Sequence, residues 1–142
     1  MRNEPVKIER RGYIASKRAR HIAEDLSWNF GEDVCILDVR NKSPYVSYYI
    51  VASASNDRRL QALKSAAEES IYDNYLELHH VEGRNGSTWI LLDAGQFVIQ
   101  LFTKSMRNEV NFDGLYKDCP CLPVNAEKEP VYRKKKRPNK QQ

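Results

Sequence analysis

Apolar residues recur along this chain with two periods. Ala15, Ala19, Ile22, Ala23, Leu26 and Phe30 fall at helical spacing and give one apolar face from about Gly12 onward. Gly31 is a fitting stop for that helix. Val34-Cys35-Ile36-Leu37-Asp38-Val39 is a short apolar run with β-branched ends, which predicts a buried strand. After the loop residues Arg40 to Pro44, the stretch Tyr45 to Ala54 is rich in Tyr, Val and Ile and predicts a second strand. Ser55-Asn56-Asp57 opens a second helix. Ser55 or Asn56 serves as its cap, and Asp57 sits in the first turn, where the helix dipole favours an acid. Leu60, Leu63, Ala67, Ile71 and Tyr75 stripe one side of it.

Beyond this helix the period shortens. Glu77 to Glu82 suits a short strand, and Gly83-Arg84-Asn85-Gly86-Ser87 is turn chemistry. Thr88 to Asp93 and Gln96 to Phe102 flank Ala94-Gly95 as the two arms of a hairpin. In the second arm Phe97, Ile99 and Leu101 share one apolar face for the core. Gln96, Val98, Gln100 and Phe102 share the other. Ser105 to Val110 predicts one or two helical turns, and Asp113 to Tyr116 another short turn. The order predicts an α/β fold: a mixed sheet of about five strands flanked by two main helices. Residues 1–11 carry few apolar groups and read as a flexible basic arm, with the α/β domain over 12–118. Residues 119–142 are punctuated by Pro120, Pro123, Pro130 and Pro138 and contain Arg133-Lys134-Lys135-Lys136-Arg137, which predicts a disordered basic tail.

The 142 residues suit one domain with a real core, and the 41% hydrophobic and 30% charged fractions are those of a globular chain. No run approaches the roughly 18 apolar residues of a membrane span. The first residues lack the apolar stretch of a secretory signal, and Glu4 and Glu9 argue against an organellar transit peptide. Charge refines the picture. The net +4 is divided into +5 over residues 1–20, −6 over 21–126 and +5 over 127–142. An acidic body is unlike a nucleic-acid-binding surface and suits a basic partner. The basic tail could attach to RNA by displacing counterions or could simply solubilise the chain.

Candidate chemistry is sparse. The chain has no Gly-x-Ser-x-Gly elbow and no phosphate-binding Gly-x-x-x-x-Gly-Lys loop. Asp38 and Asp93 end strands, as magnesium-binding carboxylates of nucleotidyl-transfer sites do. Yet Asp38 lacks a paired acid and a nearby Gly-Ser, and Arg40 follows it, so capping and strand termination are the favoured roles. Adjacent His79 and His80 would point to opposite faces of a strand. Cys35 reads as a buried thiol, and Cys119-Pro-Cys121 lacks a companion pair at zinc spacing. The expectation is therefore no catalytic set, no metal and no cofactor. Trp89 remains open at this point, as either a core side chain or an exposed interface anchor.

Three strings resemble one family: Ile36-Leu37-Asp38-Val39-Arg40, Tyr48 to Ser55 followed by Asp57-Arg58-Arg59, and Val81-Glu82-Gly83 followed by Trp89-Ile90-Leu91-Leu92-Asp93-Ala94-Gly95, Val98 to Phe102 and Arg107. Leu115-Tyr116 stands where that family commonly has Leu-Trp. This is the Iojap or ribosomal silencing factor (RsfS) family, and the likeness covers about residues 12 to 118. The chain departs from the family pattern at Val46-Ser47, Ala54-Ser55, Gln100 and Val110. The resemblance implies a nucleotidyltransferase-like topology without catalysis. It also implies binding to the large ribosomal subunit through ribosomal protein L14, and steric blocking of small-subunit joining that represses translation. It places partner contacts at Trp89, Asp93, Gln96, Val98, Gln100, Arg107, Leu115 and Tyr116. It further implies a bacterial cytoplasmic protein, or one of an organellar matrix. Possible additions are a homodimer when free and contact of the basic tail with ribosomal RNA. The alternatives are a large-subunit assembly factor of the same family and a magnesium-dependent nucleotidyltransferase using Asp38 and Asp93.

Overall fold

Helix α1 spans Asn3–Trp28 in the computed structural model, which describes residues 3–83 and 86–124, with side chains from residue 15 onward. The helix reaches into the segment expected to be an arm over residues 1–11. Nothing in its first turn opposes this: Pro5 costs no hydrogen bond where the N–H groups lack intrahelical partners, and Lys7, Glu9, Arg10 and Arg11 are good helix formers. An apolar stripe reports burial, not helicity, so its absence there left the helical turns unannounced. Strands β1 (Glu32–Asp38) and β2 (Tyr48–Ala54) follow, then helix α2 (Asp57–Asp73) and strands β3 (His80–Glu82), β4 (Trp89–Ala94) and β5 (Phe97–Thr103). The short helices α3 (Lys104–Glu109) and α4 (Phe112–Leu115) lead to β6 (Cys121–Leu122).

Among the described residues the six strands form one sheet in the order β3-β4-β5-β2-β1-β6. Only β2 and β5 pair in parallel; the other neighbours are antiparallel. The sixth strand corrects the expected tail boundary at residue 118. Cys121 and Leu122 pair with Leu37 and Ile36 at the β1 edge, because a proline-flanked dipeptide can still add to a sheet edge that needs few donors. The rest of the expected tail, residues 125–142, lies outside the described residues.

Helices α1 and α2 cover one face of the sheet. Ala19, Ile22, Ala23 and Leu26 from α1 meet Leu60, Leu63, Ala67 and Ile71 from α2 over Ile36, Ile50, Ile90, Leu92, Ile99 and Leu101, all at or near zero exposure. A buried polar link crosses the helix pair: Ser70 donates its hydroxyl to Asp25 at 2.6 Å. Both predicted stripes overran their helices by one aromatic residue. Phe30 (φ 70°) and Tyr75 (φ 61°) occupy the left-handed region just past α1 and α2, and are 64% and 90% exposed. The left-handed step satisfies the last carbonyls of each helix, with Gly31 N–H donating to Leu26 and Leu76 N–H to Ile71, and it turns the aromatic ring away from the core. Gly31 is needed for closeness and not for its φ, since a Cβ there would lie 2.7 Å from the Leu26 carbonyl oxygen.

The helix α2 N-terminus follows its local signal. Asn56 is the cap, and its Oδ1 accepts from the Arg59 N–H at 2.8 Å. Gly95, with φ 86°, is the first residue of the two-residue turn closing β4 onto β5, where Ala94 pairs with Phe97.

The core of the helix-covered face sets the stability of the fold. Leu26→Ala, which empties a fully buried site between α1 and the sheet, is expected to lower the unfolding free energy by about 2–5 kcal/mol. Urea unfolding followed by far-UV circular dichroism checks this. A loss below 1 kcal/mol would mean that α1 is not packed as described.

Candidate partner-binding site

The second face of the sheet carries a smaller core of its own. Leu37, Val39, Val51, Phe102 and Phe112 are buried there, with Tyr49, Met106, Val110, Tyr116 and Cys119 packed around them. Residues 104–116 fold back from the end of β5 and lay α3 and α4 over this face. The mixed face of β5 is covered as well: every residue of β5 is buried, including Val98 and Gln100. Alternation identified the two faces correctly. It could not tell that a second layer, built from two helices of only six and four residues, would cover the mixed one.

Arg107 fixes that layer. Its guanidinium is buried and reaches three other elements. Nε and Nη2 donate to the two carboxylate oxygens of Asp113 in α4 at 3.2 and 3.0 Å. Nη1 donates to the Ser53 hydroxyl in β2 and the Asp33 carbonyl in β1, both at 2.9 Å. Helix α3 itself is capped by Thr103, whose Oγ1 accepts from the Met106 N–H. Helix α4 enters through Asn111 in the left-handed region (φ 53°).

Along this layer the aromatic rings form a continuous ladder. Trp89 lies against Phe102 with centroids 5.0 Å apart, Phe102 against Phe112 at 5.1 Å, and Phe112 against Tyr116 at 4.8 Å. Tyr116 closes on Tyr49 edge-to-face at 5.3 Å. Each tilted or edge-to-face pair is worth about 0.5–1.5 kcal/mol beyond its buried area. The ladder emerges at both ends. Trp89 is 40% exposed, and Leu115, beside Tyr116, is 62% exposed. The indole is nonetheless held: Nε1 donates to Gln100 Oε1 at 3.0 Å.

The strand register places Trp89, Asp93, Val98 and Gln100 on this one face, since Trp89 pairs with Phe102 and Asp93 with Val98, and Gln96 lies in the turn between the two strands. They do not play equal parts. Trp89, Gln96 and Leu115 are exposed, and Asp93 and Tyr116 half-buried, whereas Val98, Gln100 and Arg107 lie beneath the surface. These three offer little surface to a partner from where they sit. Gln96 stands at the hairpin tip, the far end of β4–β5 from Trp89, with its Oε1 accepting from Ser47. Asp93 Oδ1 accepts from the Gly95 N–H at 2.9 Å. His80 pairs with Asp93 and Glu82 with Leu91, so an acidic edge flanks the patch. Phe112, Tyr49, Ser53 and Asp113 were not singled out from the sequence. Their weak signal was a lone Phe and Tyr at no regular spacing.

The other candidate groups have structural partners. Arg40 grips both carboxylate oxygens of Asp38 at 2.9 and 2.6 Å and holds its pKa below the ordinary carboxylate value. Among the described residues no group of His, Cys, Asp and Glu is placed to hold a metal ion. No helix among them is long and apolar enough to cross a membrane. Burial pushes the Cys35 thiol up to about 11. Burial and the Tyr116 hydroxyl push Tyr49 up to about 12.

Residues 14–142 match the family model described as ribosomal silencing factor during starvation. The chain belongs to the RsfS family. The match continues through residue 142, past residue 118 where the resemblance was expected to stop. The RsfS protein of Bacillus subtilis is 27% identical over 89 residues, covering 63% of this chain and 75% of that protein. The RsfS protein of Chromobacterium violaceum is 25% identical over 101 residues, 71% of this chain and 80% of its own. A crystal structure of a Chromobacterium violaceum protein superposes with a TM-score of 0.68 at 22% identity, over 82% of this chain and 97% of that one. A Bacillus halodurans structure gives 0.63 at 19% identity, over 73% and 94%. These two likenesses bear out the α/β fold with its mixed sheet.

Two tests address this layer of the RsfS chain. Arg107→Met should cost about 2–4 kcal/mol, because it strands buried acceptors on Ser53 and Asp33, whereas Asp113→Asn, at an exposed carboxylate, should cost under about 1 kcal/mol. Equal losses in urea unfolding would show that the ion pair, and not the buried fork, holds the layer. The pH dependence has a definite sign. Cys35 and Tyr49 are both held neutral by the fold, so the stability they contribute is intact below about pH 9. It is lost as pH rises through the thiol's 11 and the phenol's 12. The urea midpoint should therefore fall steadily from about pH 9 to pH 12. A midpoint that stays flat would contradict the burial of both groups.

Proposed function

We propose that this RsfS chain binds the large ribosomal subunit through ribosomal protein L14, using the face that carries Trp89, Leu115 and Tyr116. Bound there, it keeps the small subunit from joining and so represses translation. The observation that carries this reading is the half-exposed Trp89 on a rigid aromatic ladder. A large aromatic side chain held in place before contact is the usual anchor of a protein interface, because little freedom is lost on binding. The carboxylates of Glu82 and Asp93 at this edge favour a basic partner surface. Occupancy alone performs the function, and no bond need be made or broken. The setting would be a bacterial cytoplasm. The basic run Arg133 to Arg137 would add salt-dependent attraction to ribosomal RNA without setting specificity.

Trp89→Ala should leave the far-UV spectrum unchanged and cost more than about 2 kcal/mol of binding, a loss of about thirtyfold or more in affinity. Cosedimentation of the variant with purified large subunits reads this out. If the variant travels with large subunits as the parent chain does, Trp89 is not the anchor and the proposed contact is wrong.

A further inference from the structure

Trp89 is the first residue of β4 and is 40% exposed. A tryptophan in that setting could adopt several rotamers. Two contacts restrict it. The ring lies on Phe102, its direct cross-strand partner. The indole N–H is taken by the Oε1 of Gln100, the residue two before Phe102 on the same face of β5. Gln100 is itself only 4% exposed. Such a buried amide has few rotamers to choose from, so the direction of its acceptor is set by packing.

We propose that Gln100 is a positioning residue for the partner contact: it makes no contact of its own but aims the Trp89 ring outward by capturing the indole N–H. The inference rests on the proposed ribosomal contact and adds the chemistry of that contact. An indole whose only donor is spent inside the protein offers the partner carbon edges and a π face. The surface it enters must therefore supply apolar groups, or a cation over the ring, and needs no hydrogen-bond acceptor for it. Phe102 sets the tilt of the ring and Gln100 its rotation. With both fixed, binding loses little rotamer freedom at its central anchor.

The test uses the full chain and purified large subunits. Gln100→Met keeps length and volume and removes the acceptor. The expected result has three parts. The melting temperature stays within a few degrees of the parent. The Trp89 indole N–H resonance, read against Trp28 as the internal reference, shifts and exchanges faster with solvent. Affinity for large subunits falls about tenfold, the worth of one hydrogen bond of about 1.4 kcal/mol. A cycle with Trp89→Phe then isolates the route. In the Trp89→Phe background, which has no N–H to capture, Gln100→Met should change affinity by less than twofold. A full tenfold loss in that background would mean that Gln100 touches the partner directly and overturns the proposal. So would wild-type affinity for Gln100→Met, or a loss of affinity with an unmoved indole resonance. If the parent chain fails to bind large subunits at all, the ribosomal reading beneath falls, and this inference falls with it. The indole resonance would still show whether Gln100 holds the ring, which separates the two failures.

Discussion

The buried guanidinium of Arg107 is the interaction on which the second face of the sheet depends. Two helices of six and four residues are too short to be stable by themselves. They become a layer because one planar cation binds Asp113, Ser53 and the Asp33 carbonyl at once, joining α3, α4, β1 and β2. A lysine could not reproduce that fork, since it has one charged nitrogen and no planar array of donors. With the layer in place, Phe112 and Tyr116 meet Phe102 and Tyr49, and the second face of the sheet acquires a core.

That second core is built around rings, whereas the first is mostly aliphatic, with Tyr48 and Phe97 its buried aromatics. The difference suits their tasks. Ile, Leu and Ala interdigitate between helices and sheet and leave nothing exposed. Rings in tilted contact form a stiff path from the middle of the sheet to its surface, so that Trp89 at one end and Tyr116 beside Leu115 at the other are displayed on a rigid support. On the proposed reading, in which the surface acts by occupancy, that rigidity matters more than reactive groups. The charged side chains nearby are accordingly tied into structure, with Asp38 held by Arg40 and Asp93 turned to its own hairpin.

The same economy governs the helix ends. Phe30 and Tyr75 lie in register with the buried stripes of α1 and α2, yet both are exposed. Each occupies the left-handed step that satisfies the carbonyls of the final turn. That conformation costs a non-glycine residue on the order of 1 kcal/mol. Arg59 stacks over the Phe30 ring at 4.0 Å, which recovers part of it.

The elements with a strong period were legible in the sequence by itself. The α1 and α2 stripes, the β4–β5 hairpin around Ala94-Gly95, a helix cap at Ser55 or Asn56 and the mixed α/β class all follow from local spacing and turn chemistry. So did the assignment of Val98, Gln100 and Phe102 to one face of β5, because strand alternation is a property of the backbone; that Trp89 and Asp93 share this face was decided by the pairing register. Tertiary structure alone decided what covered that face. The helices α3 and α4 carry no apolar period long enough to read, and their placement comes from a contact between Arg107 and residues as far as 74 positions away. It therefore also decided that Val98, Gln100 and Arg107 would lie beneath the surface while Trp89 stayed exposed. Burial depends on what arrives from elsewhere in the chain, and a local pattern records only which side a residue faces.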